Sequence, residues 1–166
     1  MRKWKSEKIR YEKIKELRKS AIEKVSRQGK MSESQKRIQS FEDLEVYRQA
    51  RLLRQKVFAV IKNFPTEEKF ALSSQMRRAA ISLTNNIAEG FGRFHYRENM
   101  QFCRQSRGSL FELLNDLNIC EDEKYLTQEQ VQEIKENAFF VLKLLNGYIA
   151  KTKQLASRNL NEAKKV

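Results

Sequence analysis

The chain has 166 residues, with one Pro and five Gly, which supports one domain with a real core plus an appendage and excludes a sandwich or barrel with a turn every ten or so residues. Its formal charge of +13 is uneven, because residues 1–40 hold 14 Lys/Arg against 5 Asp/Glu (+9) and residues 41–166 hold 20 against 16 (+4). No uncharged apolar run approaches the ~18 residues of a membrane span, and the charged N-terminus lacks the apolar stretch of a secretory signal.

Residues 3–27 read as an amphipathic basic helix, with Trp4, Tyr11, Ile14, Leu17, Ile22 and Val25 on one broad face among Lys and Glu. Gly29 stops it, and GKMSESQKRIQS follows as a linker. Met31 opens MSESQKRIQSFEDL, a credible start for a compact protein, so residues 1–30 are expected to lie upstream of the native product. Residues 1–39 are thus read as extension and linker, 40–155 as the bundle and 156–166 as a flexible tail.

The first bundle helix is predicted from about Asp43 to Asn63, with a stripe of Tyr47, Ala50, Leu53, Val57, Val60, Ile61 and Phe64, and with Phe41 as a staple ahead of the cap. Pro65 ends it. Thr66 is the predicted N-cap of the second helix, with Glu67 and Glu68 near the positive end of its dipole. That helix continues through Phe70, Met76, Ala80, Leu83 and Ile87, and EGFGR stops it at Gly90. The third runs from near Tyr96 to about Glu121. Thr127 and Gln130 form a capping box for the fourth, whose core positions are Val131, Ile134, Ala138, Val141, Leu142, Leu145 and Tyr148. Four helices with short connections predict an all-α, antiparallel up-down four-helix bundle. The two cysteines, Cys103 and Cys120, fall on one helix about 25 Å apart at ~1.5 Å per residue, which excludes an intrachain disulfide and suits a reducing cytoplasm.

Several apolar residues lie off the main stripes: Leu72, Ala79 and Leu83 on the second helix, and Phe102, Leu113 and Ile119 on the third. A helix apolar on two sides is buried on two sides, so self-association is expected.

Polar residues supply the candidate sites. RRAAISLTNNIAEGFGR (77–93) carries Arg78, Asn86, Glu89 and Arg93 on helix-forming sequence, and RGSLFELL (107–114) sets Gly108 and Ser109 one turn before Glu112. Gly108 lacks a Cβ and so permits close backbone approach. Arg78, Asn86, Glu89, Arg93, Ser109 and Glu112 are read as a polar layer joining the second and third helices; a ligand pocket or paired-carboxylate acid–base chemistry is the alternative. The sole histidine, His95, begins the third helix without the further ligands a metal needs, and Glu-x-x-His is absent. Neither catalytic residue, metal nor cofactor is expected. Arg48, Arg51 and Arg54 on the first helix, with Arg97, Arg104 and Arg107 on the third, are the candidates for RNA or DNA phosphates.

The ordered motifs FEDLEVYRQA, FPTEEKFALSSQMRRAAISLTNNIAEGFGR and FCRQSRGSLFELLNDL resemble the 23S rRNA-intervening-sequence protein family over roughly residues 40–155. Arg78, Asn86, Glu89, Gly90, Arg93, Gly108, Ser109 and Glu112 fall on its motif positions, Ser106 departs mildly from a small residue there, and residues 1–30 lie outside its usual extent. The resemblance implies a four-helix bundle without established enzymatic activity, assembled as a ring- or cone-shaped pentamer. Some members are encoded within intervening sequences of bacterial 23S rRNA genes, and related bundles are nucleic-acid-binding accessory proteins of reverse transcriptases in diversity-generating retroelements. Five copies of residues 41–166 at +4 each would bring +20 together. The expected function is therefore a non-enzymatic oligomer that binds RNA or DNA nonspecifically. The alternatives are a protein–protein scaffold without nucleic-acid binding and, with its thin apolar stripe, a basic helix on an acidic membrane.

Overall fold

The computed structural model describes residues 38–93 and 95–163; the helix expected over residues 3–27 lies outside them. The described residues form four α-helices and no strand: α1 (Glu45–Val60), α2 (Leu72–Gly92), α3 (Tyr96–Asp122) and α4 (Gln128–Ala163). Each helix packs on its neighbours in sequence and α1 also packs on α4, so α1 and α3 stand diagonally across the core. Contacts between consecutive helices run antiparallel. Arg54 and Phe58 of α1 meet Thr84 and Arg77 of α2, Gln75 and Ser82 of α2 meet Asp116 and Ser109 of α3, and Asn99 and Glu121 of α3 meet Tyr148 and Lys135 of α4.

The α1 stripe buries Val46, Ala50, Leu53 and Val57 and is continued by Ile61 at the same three-to-four-residue spacing, with Leu44 buried just ahead of the helix. Ahead of it, Ser40 and Asp43 make a capping box around a short 3₁₀ turn, Phe41–Asp43. The Phe41 ring meets Tyr47 edge-on at 4.7 Å between centroids, so Phe41 anchors the entry.

The entry to the second helix differs from the sequence expectation. Pro65 holds Phe64 extended, and Thr66–Lys69 form a 3₁₀ turn, so α2 begins only at Leu72. Thr66 makes no side-chain cap. Glu68 does that work, accepting from the Leu72 N–H at 3.1 Å and from the Tyr125 hydroxyl at 3.1 Å, which ties the turn to the loop before α4. The break resets the helical register, so Phe70, expected in the core, stands 84% exposed. At α4 the Thr127–Gln130 capping box forms as read, with Gln130 Oε1 accepting from the Thr127 N–H at 3.0 Å and Thr127 Oγ1 from the Gln130 N–H at 3.3 Å. The helix then runs on to Ala163 through most of the segment expected to be a tail, because nothing after Gly147 interrupts it with Pro or Gly.

Packing corrects two further expectations. The close approach between α2 and α3 occurs at Gly90, where a Cβ would lie 3.0 Å from Phe102 Cβ and 3.1 Å from the Asn99 carbonyl oxygen; at Gly108 it would meet nothing within 4 Å. Leu72, Ala79, Leu83 and Leu113, read as a second surface, belong to the core, because two neighbouring helices cover a wider arc than one stripe fills. The large apolar groups left exposed on α3 and α4 include Phe111, Ile119, Phe139 and Phe140. Cys103 and Cys120 are buried free thiols, and burial pushes them up to about 11 and about 12, so neither is a thiolate at neutral pH.

Candidate functional site

The two arginine rows lie on diagonally opposed helices, since α1 and α3 are each flanked by α2 and α4. One chain therefore does not join them into a single patch. Their guanidinium groups also differ in availability. Arg48 pairs with Glu45 one turn back at 2.7 Å. Arg54 donates to Thr84 Oγ1 on α2 at 2.8 Å, and Arg107 to Asn146 Oδ1 on α4 at 3.2 Å, so both serve as links between helices. Arg51, Arg97 and Arg104 are exposed, with no such partner among the described residues. They retain all of their donors for an external anion.

The expected polar layer is only partly assembled. Asn86 Nδ2 donates to the Ser82 carbonyl at 2.8 Å and to Ser82 Oγ at 3.0 Å, and Ser109 Oγ meets Ser82 Oγ across the α2–α3 boundary at 2.8 Å. Arg78 turns along its own helix to Ser74 Oγ at 3.0 Å. Arg93 pairs with Glu89 one turn earlier rather than across to α3, and its link to α3 is the Phe102 ring, 4.7 Å from the guanidinium carbon. Glu112 is exposed and makes no bond to α2. The stitching expected from Glu89, Arg93 and Glu112 is thus corrected: small hydroxyls reach across the narrow α2–α3 boundary, while the longer charged chains stay with water or their own helix, avoiding desolvation.

Two members of this seam were missed. Ser106, fully buried, donates to the Leu83 carbonyl at 2.7 Å. Asp116 is 0% exposed, and its Oδ1 accepts from Gln75 Nε2 at 2.6 Å. Its Oδ2 is buried with no partner among the described residues. Burial, reinforced by the nearby Glu112 charge and opposed by the Gln75 hydrogen bond, holds the Asp116 carboxyl above the usual carboxylate range. The available signal was spacing: Asp116 lies three residues after Leu113 and four before Cys120, both core positions. Below the seam, Asn99 Nδ2 donates to the Tyr148 hydroxyl at 3.1 Å, linking α3 to α4.

His95 occupies the N-cap position of α3 without a side-chain cap bond. Among the described residues no group of three metal-ligating side chains assembles, and no helix is long and apolar enough to cross a membrane.

A family model described as 23S rRNA-intervening sequence protein matches residues 42–147, which span α1, the α2–α3 seam and most of the α4 core. A solved structure of a protein of unknown function from the S23 ribosomal protein family of Bacteroides thetaiotaomicron is similar, with a TM-score of 0.59 and 22% sequence identity, covering 63% of this chain and 97% of that one. At that identity the likeness concerns the fold alone. No curated protein matches.

Proposed function

The chain belongs to the 23S rRNA-intervening sequence protein family, and from that premise we propose that it is a non-enzymatic, self-associating cytoplasmic protein that binds RNA or DNA through phosphate contacts. The observation that carries this reading is the set of exposed guanidinium groups at Arg51, Arg97 and Arg104, none committed to a protein acceptor among the described residues. Phosphate contacts release counterions and need no base-specific geometry, which fits arginines spread along two helices rather than gathered in a pocket. Because α1 and α3 lie apart within one chain, a continuous basic track requires α1 of one copy beside α3 of another. The exposed Phe111, Ile119, Phe139 and Phe140 give self-association an apolar driving force. The pentamer implied by the family resemblance is the arrangement proposed.

The decisive variant is Arg51→Glu/Arg97→Glu/Arg104→Glu. It is expected to weaken binding of labelled RNA at low salt and to make its salt dependence shallower, while leaving melting and light-scattering mass unchanged. Binding equal to that of the unmodified chain would reject these arginines as the contact. A scaffold without nucleic-acid binding is the second reading, supported by Arg48, Arg54 and Arg107 having protein partners. It predicts a stable oligomer with no RNA affinity.

A further inference from the structure

Where α1 gives way to α2, the chain encloses an open cleft of about 610 Å³, lined by Lys62, Lys69, Arg77, Thr66, Ser73 and Phe70 among others. Its lining contains three cations and no carboxylate. Glu68, the nearest acid in sequence to Lys69, is bound to the Leu72 N–H and the Tyr125 hydroxyl instead. None of the three cations has a carboxylate partner among the described residues. Arg77 is held from one side by the Phe58 ring, 4.6 Å from its guanidinium carbon, which fixes the group while its N–H donors stay available. Ser73 and Ser74 line the same cleft and belong to the first turn of α2, so the positive end of the helix dipole adds to the side-chain charge.

Positive charge alone would suit any anion. Phe70 narrows the choice. It is the most exposed large apolar side chain described, at 84%, and the Lys69 ammonium lies 5.3 Å from its ring centroid. With Lys69 over one face, the exposed ring offers its other face, and an aromatic beside phosphate-binding cations is the pairing that receives one unit of a single strand, the base stacked on the ring and the phosphate among the cations. A base inside a duplex is stacked on both faces and cannot do this without leaving the helix. The cleft volume is within the range of small-ligand sites and admits a single nucleotide.

We propose that this cleft is a single-strand nucleotide site, with Phe70 as the stacking platform and Lys62, Lys69 and Arg77 as the phosphate cradle. The proposal rests on the nucleic-acid reading above and adds to it a preference for unpaired strands and a set of residues distinct from the arginine rows.

The test is fluorescence anisotropy with the full chain, using a labelled ten-nucleotide oligouridine and a labelled RNA duplex of equal length. Phe70→Ala is expected to weaken oligouridine binding about 5- to 100-fold and to leave duplex binding within about twofold. Phe70→Trp should preserve oligouridine affinity, because the ring face is retained. Lys62→Ala/Lys69→Ala should weaken both probes and flatten the salt dependence of oligouridine binding by about 1.4 in log–log slope, for two lost phosphate contacts. Unchanged oligouridine binding in the Phe70 and lysine variants, with binding weakened in the Arg51/Arg97/Arg104 variant, overturns the cleft and leaves the nucleic-acid reading standing. No binding of either probe by the unmodified chain rejects both. Equal competition by a ten-residue polyglutamate against the unmodified chain and Phe70→Ala would reduce the cleft to a general anion site and overturn the stacking role.

Discussion

The α2–α3 and α1–α4 boundaries are built from opposite materials. Between α2 and α3 the backbones close up at Gly90, and short groups bridge what remains: Ser106 to the Leu83 carbonyl, Ser109 to Ser82, and Asp116 to Gln75. Between α1 and α4 the bridging ion pair is Lys56–Glu133, at 2.7 Å and well exposed on both sides. Buried hydroxyls and a glycine set a spacing that tolerates little change, whereas an exposed ion pair adjusts to whatever spacing the core dictates. The first boundary is the rigid spine and the second the adaptable side.

Substitutions at the two boundaries should therefore differ in size and sign. The largest effect is expected from Gly90→Ala, whose new methyl meets Phe102 Cβ and the Asn99 carbonyl oxygen at 3.0–3.1 Å. A loss of about 1–3 kcal/mol should appear in urea unfolding. Asp116→Asn comes next. Because the Asp116 carboxyl is raised in the fold, its contribution is fully present below the ordinary Asp value of about 3.9 and is lost as pH rises through the raised one. Stability of the unmodified chain should decline across that window, while the Asn variant lacks this component and gains about 1 kcal/mol at pH 7 because it buries no negative charge. Gly108→Ala, with open space around the new methyl, should stabilise by about 0.5–1 kcal/mol. A loss of oligomer mass in that variant would place Gly108 at a contact between copies. Smallest of all, Lys56→Ala should change stability by no more than about 0.5 kcal/mol. A larger loss there would contradict the division into rigid and adaptable sides.

What the sequence made legible was local. The α1 stripe and the Thr127–Gln130 capping box depend on residues within a turn of each other; the capping box formed as read, and the stripe buried Ala50, Leu53, Val57 and Ile61 as read, with Val46 added and Tyr47, Val60 and Phe64 only partly buried. Contacts across helices were harder, because they depend on the register between two helices. Gly108, Ser109 and Glu112 looked like the α2-facing side of α3, yet only Ser109 bonds to α2, joined there by Ser106 and Asp116; Gly108 is one residue, or about 100° of helix, from Ser109. The Phe70 error arose from a 3₁₀ turn that consumed the expected cap, Thr66, and the three residues after it assigned to helix, and broke the periodicity behind it. The arginine rows were visible as rows. That Arg54 serves Thr84 and Arg107 serves Asn146, leaving Arg51, Arg97 and Arg104 outward, required the packed bundle.

The claim that joins fold to function is that exposed cations bind nucleic-acid phosphates, and salt dependence tests it most directly. Binding of a labelled RNA to the unmodified chain should be measured from ~50 to ~200 mM salt, where log affinity is predicted to fall linearly with log salt at about 0.7–0.9 per phosphate contacted. A steep linear fall that becomes shallower in the Arg51→Glu/Arg97→Glu/Arg104→Glu variant is the predicted result. Affinity independent of salt, or no binding at the lowest salt, would contradict it.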